Sequence, residues 1–127
     1  MNMRVYKSGS IIIANYVNFK GEQKQGVFMV LYDEALDNTT DSVMNVSCIK
    51  ITTQLSMVGN YAVNLKNEDS DFFKHESLAS CSKIHTIHKN QISGVIGVLG
   101  EKTYKKVYSG FRKFVNELDR QMLGGLL

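Results

Sequence analysis

Apolar runs and alternating stretches along most of this chain read as strands, and the pattern switches to a helical period at its end. Ile11 to Val17 is β-branched and aromatic, and Val27 to Tyr32 is a second apolar run, with the polar stretch Asn18 to Gly26 between them. Two strands joined by a glycine-bounded loop are predicted. Val43 to Ile51 sets Val43, Cys48 and Ile51 among polar residues, and Tyr61, Val63 and Leu65 alternate with Ala62 and Asn64. These predict strands three and four, connected by Thr52 to Asn60. After an acidic and aromatic stretch from Asn67 to His75, Ser77 to Ile84 reads as a strand. Val95 to Leu99 reads as a short closing one, punctuated by glycines at 94, 97 and 100. From Glu101, Tyr104, Val107, Phe111, Phe114, Leu118 and Met122 recur every three or four residues among Lys, Arg, Glu and Asp. An amphipathic helix ending near Gly124-Gly125 is expected.

Several short strands and one packing helix indicate a mainly β fold with a C-terminal helix, a small barrel whose closure would remove exposed sheet edges. At 127 residues, 43% apolar and without proline, repeat or low-complexity segment, residues 1–127 read as one domain with a real core. Cys48 and Cys81 lie in apolar or alternating runs without metal-ligand spacing, which suits reduced thiols in a cytoplasmic protein. No apolar run approaches the roughly 20 residues that span a bilayer, so no membrane partner is expected. The formal charge of +3 favours an anionic partner only weakly.

Five local strings bear on family. Val5-Tyr6-Lys7-Ser8-Gly9 leads into the first strand, and Gly21-Glu22-Gln23-Lys24-Gln25-Gly26 follows it. Cys48-Ile49-Lys50-Ile51-Thr52-Thr53 ends a strand, Ile84, Thr86, Ile87 and Lys89 close the segment Ser77 to Lys89, and Val95-Ile96-Gly97-Val98-Leu99 precedes the helix. In this order, over about residues 5 to 118, they resemble the MazF/PemK toxins. That resemblance implies an SH3-like barrel, usually a homodimer, that cuts single-stranded RNA and is held in check by a small antitoxin. It implies no metal or other cofactor: the RNA's own 2′-hydroxyl attacks the neighbouring phosphate, and the protein supplies a proton acceptor, a proton donor and a positive group.

Carried across, the threonine of the family's Ile-Thr-Ser is Thr52, with Thr53 in place of the serine. The arginine of its Thr-Arg-Pro triplet is replaced by Phe28 within Val27-Phe28-Met29, the Cys-Asp-Gln site reads Cys81-Ser82-Lys83, and the arginine before it is Ser80. A substitute set is therefore expected: Thr52, His85 and Lys24 as catalytic residues, with Lys20, Gln23, Lys50, Thr53, Ser82 and Lys83 binding substrate.

Each of these has a plainer reading. His85 and His88 lie three apart on a strand, point to different faces and lack a third ligand, so no metal site is expected; His85 faces the site and His88 solvent. Lys20 and Lys24 suit an RNA backbone or an ordinary hairpin loop equally. Thr52 either acts chemically or ends a strand, and Phe28 in an apolar strand is core by default. Met57, Tyr104 and Phe111 read as packing, and Lys102, Lys105 and Lys106 as a solvated helix face. Two functions follow: a MazF-like endoribonuclease, weakened at its site, or a catalytically inactive protein of that fold that binds nucleic acid or another protein.

Overall fold

Alternation places two apolar faces on the strands, and both are buried in the folded chain. A computed structural model describes residues 4–37, 44–53, 60–65, 73 and 76–126. Its elements are β1 (Ser10–Val17), β2 (Gln23–Asp33), β3 (Asn45–Thr52), β4 (Ala62–Asn64), β5 (Leu78–His88), β6 (Ile92–Val98) and α1 (Glu101–Leu126). Val43, Met57 and the stretch 67–75 apart from Phe73 lie outside the described residues.

The strands form one antiparallel sheet in the order β4-β5-β3-β2-β1-β6. On one face Ile11, Met29, Leu31, Ile49, Ile51 and Cys81 pack with Val107, Tyr104 and Phe111 of α1. On the other, Ile12, Ala14, Phe28, Val30, Val46, Cys48 and Ile87 form a second core with Tyr6. Each fully buried Ile, Val, Met or Phe among them contributes about 1.5–3 kcal/mol. The helix seats closely because position 110 is glycine: a Cβ there would lie 2.9 Å from both Cys81 Sγ and Val63 Cγ2. On its solvent side Lys102, Lys105 and Lys106 are exposed, Lys105 pairing with Glu101 at 2.7 Å.

Three local features differ from the expectation. The β1–β2 connection is short. Asn18 Oδ1 accepts from the N–H groups of Lys20 and Glu22, a tight turn that starts β2 at Gln23 and puts Lys24 on a strand. The sheet is SH3-like in order but its ladder stays open: β4, only three residues long, and β6 are the edges, while β3 is paired on both sides. His88 is half-buried and caps a turn, its Nδ1 accepting from the Asn90 N–H at 3.1 Å.

A buried ion pair ties the sheet's far end. Lys89 Nζ lies 2.9 Å from Asp33 Oδ2, the two side chains 1% and 2% exposed. Asp33 also accepts from the N–H groups of Tyr6 and Ala35. Burial pushes the Asp33 carboxyl up, but the Lys89 hydrogen bond, the two backbone donors and the Lys89 charge outweigh it and hold the carboxyl below its ordinary value. The thiols are free and lie in different cores; burial raises Cys48 to about 12 and Cys81 to about 11. Among the described residues no helix is long and apolar enough to cross a membrane.

Candidate functional site

Beyond the second core, the same sheet face opens into a groove of about 690 Å³. Strand parity sets part of its lining. On β3, Val46 and Cys48 fill the core and Lys50 and Thr52 continue along that face; on β2, Phe28 is preceded by Gly26; on β1, Ala14 is followed by Tyr16.

Lys50 is the central cation. Its ammonium lies 3.9 Å from the Tyr16 ring centroid and 4.9 Å from that of Phe28, contacts in which a cation rests on the negative face of an aromatic ring. Gly26 makes the room: a Cβ there would stand 2.6 Å from Lys50 Nζ and 2.9 Å from Tyr16 Cε1. Phe28 is completely buried and meets Tyr16 edge-on at 5.4 Å. Phe28, which the resemblance sets at the family's arginine position, is thus the floor beneath Lys50, and this cation arrives from β3.

His85 of β5 completes this wall, its ring 5.2 Å from Phe28 and 5.8 Å from Tyr16. Burial, then Lys50, then Lys83 push its imidazolium form down, so at neutral pH the ring is uncharged and keeps a lone pair. A base, a cation and hydroxyls now share one cleft.

β5 reaches the groove through a break in register. Ile49 pairs with Ile84, but the next β3 residue, Lys50, pairs with Ser80, so the intervening residues of β5 bulge out. An unbroken ladder would set Lys50 opposite Lys83, two like charges side by side. The bulge removes Lys83 to the groove's rim, where it is exposed.

Of the residues expected from sequence, Thr52, His85, Lys50, Thr53 and Lys83 line the groove together. Lys24 lies opposite Tyr16 on β2 but is exposed and outside the lining; Lys20, in the turn, and Gln23, opposite Val17, are also exposed. Ser82 is half-buried in the bulge. Tyr16, Gly26, Gln25 and Ser77 were not expected from sequence, no local signal marking them; Ser80 stands at a family arginine position in the resemblance, which assigns it no role. The exposed Phe19 and Ile96 add apolar surface suited to a base. Among the described residues no cluster of His, Cys, Asp and Glu could hold a metal ion.

Residues 7–115 match the family model of the PemK-like, MazF-like toxins of type II toxin–antitoxin systems. Among solved structures, MazF of Deinococcus radiodurans superposes with a TM-score of 0.66 at 9% identity, covering 89% of this chain and 98% of that one. The Mycobacterium tuberculosis toxin MazF-mt6 gives 0.63 at 19% identity, covering 84% and 96%. A mycobacterial endoribonuclease, solved with its cognate antitoxin, gives 0.64 at 13%, covering 85% and 92%. At these identities the likeness is one of fold. No curated protein matches by sequence.

Proposed function

This chain belongs to the PemK-like, MazF-like toxin family of type II toxin–antitoxin systems, and from that premise we propose that it is a metal-independent endoribonuclease acting on single-stranded RNA. The observation that carries this reading is that Lys50, His85 and Thr52, from two neighbouring strands, open onto one groove in place of the arginine-based set. The neutral His85 imidazole accepts the proton of the 2′-hydroxyl as that oxygen bonds to phosphorus. Lys50 and the Thr52 hydroxyl stabilise the phosphate's non-bridging oxygens. The P–O5′ bond breaks, and the leaving oxygen takes a proton from solvent in the open groove, leaving a 2′,3′-cyclic phosphate. Lys83 and Thr53 hold the strand at the rim, and Lys24, Lys20, Gln23 and Ser82 lie further out, where flanking nucleotides would run.

Without a dedicated acid, cleavage is expected to be slow. The test is incubation of the purified protein with single-stranded RNA. Products ending in a 2′,3′-cyclic phosphate, lost in His85→Ala, would support the enzyme. No cleavage by a folded protein would remove it.

One observation favours the second reading, an inactive binding protein of this fold: buried Phe28 stands where the family's arginine would be. RNA binding without cleavage would select it.

The partners and setting are family expectations: a small antitoxin, a homodimer and the cytoplasm. Because β3 is internal, it offers no edge to a second copy; edge strand β6, with Ile96 and Val98 each more than 40% exposed, offers a dimer surface. Sedimentation at micromolar concentration should give twice the chain mass.

A further inference from the structure

Ser80 carries the one buried side-chain polar atom among the described residues that has no hydrogen-bond partner, and it lines the groove. The residue is 2% exposed, between Lys50 on β3 and Ala62 on β4 in the ladder. Neither neighbour's side chain can accept a hydrogen bond: an ammonium only donates and a methyl does neither. Folding gains nothing from this hydroxyl, since a buried hydroxyl without a partner costs stability and alanine would fit the same space. Buried polar groups are almost always paired, so the partner is to be sought in what the groove takes up.

We propose that Ser80 Oγ is a substrate-binding donor that, with the adjacent Lys50 ammonium, clamps one phosphate group of a single-stranded nucleic acid. The ligand's chemistry follows from the pair. Both residues line the groove from laterally paired positions of β3 and β5, and the ammonium can only donate. An atom that satisfies both must accept, and a phosphate oxygen accepts from several donors at once. The register break makes the pair, since it replaces Lys83 by Ser80 opposite Lys50 and so exchanges a repelling neighbour for a second donor. Tyr16 and Phe28 hold the ammonium through their ring faces and accept no strong hydrogen bond from it, leaving its N–H groups for an incoming anion. This assignment rests on the groove being a nucleic-acid site, not on cleavage.

The test uses short random-sequence single-stranded oligodeoxynucleotides, which carry the phosphates but lack the attacking 2′-hydroxyl, so binding is read apart from catalysis. The full chain, Ser80→Ala, Ser80→Cys and Lys50→Met are compared by fluorescence anisotropy over a range of salt, with thermal unfolding measured alongside. Ser80→Ala should weaken binding roughly 10- to 100-fold, as befits a hydrogen bond to a charged group, while its melting temperature stays level or rises. Its salt dependence should keep the wild-type slope, because no charge is lost; Lys50→Met should flatten that slope by about 0.7. Ser80→Cys, similar in shape but a weak donor, should resemble Ser80→Ala. Wild-type affinity in Ser80→Ala would overturn the assignment. So would a marked loss of stability in both Ser80 variants, which would make the hydroxyl structural, or absence of binding by the wild type. If the oligodeoxynucleotides bind as expected and RNA is not cleaved, the clamp stands and the ribonuclease reading fails.

Discussion

The Lys50 ammonium rests 3.9 Å from the centre of the Tyr16 ring, in space that exists because residue 26 has no side chain. The cation is carried by β3 and held between ring faces supplied by β1 and β2. Among the described residues it meets ring faces, not a carboxylate, which is the ground for proposing that it meets a phosphate.

If the ribonuclease reading holds, Lys50→Met should lower RNA cleavage about 100-fold or more with little change in stability, as expected for losing a positioned cation. Gly26→Ala should lower it at least about tenfold by displacing the flexible lysine end, with a stability cost of about 1 kcal/mol from crowding Tyr16. Single-turnover cleavage and thermal melts on both variants check this. Full activity in Gly26→Ala would show that the resting position of Lys50 is irrelevant.

Phe28→Arg should not restore the family's site. The ring is wholly buried between Tyr16 and His85, and a guanidinium there would lie beside the Lys50 ammonium. A loss of at least about 3 kcal/mol is expected from removing the ring and burying a charge. Urea denaturation measures it; a stable variant with faster cleavage would mean that this strand face is open.

Cleavage should rise with pH along an acidic limb set by His85 and then level off through neutrality, because burial, Lys50 and Lys83 hold the imidazolium form down. Removing a cation favours protonation. Lys83→Gln should therefore move that limb to higher pH, visible in the pH dependence of kcat/KM, and an unmoved limb would assign it to another group.

Asp33 has a folded-state value below its unfolded one, so in the interval between them the unfolded chain binds more protons and stability rises with pH. Its contribution is complete above the unfolded value and is lost as pH falls through the folded value. Lys89→Met should cost about 3–5 kcal/mol by leaving the carboxylate buried without its cation, and should move the onset of acid unfolding to higher pH. Denaturation midpoints across an acid pH series test both parts.

Local pattern determined much of this protein. Apolar runs marked β1 and the core of β2, alternation marked most of β3, and the change of period at Glu101 marked α1, because burial of strand faces and of one helix face leaves a local trace in the sequence. The family resemblance pointed to Thr52, and residue chemistry to His85 and Lys50 near it, one able to titrate near neutrality and one able to bind phosphate. What the tertiary structure decided is non-local. The bulge in β5 that brings Ser80 beside Lys50, the space left by Gly26 for a lysine on another strand, and the burial of Lys89 against Asp33 all depend on register between segments far apart in the chain. Register is fixed by the sum of packing on both sheet faces, which no window along the sequence contains.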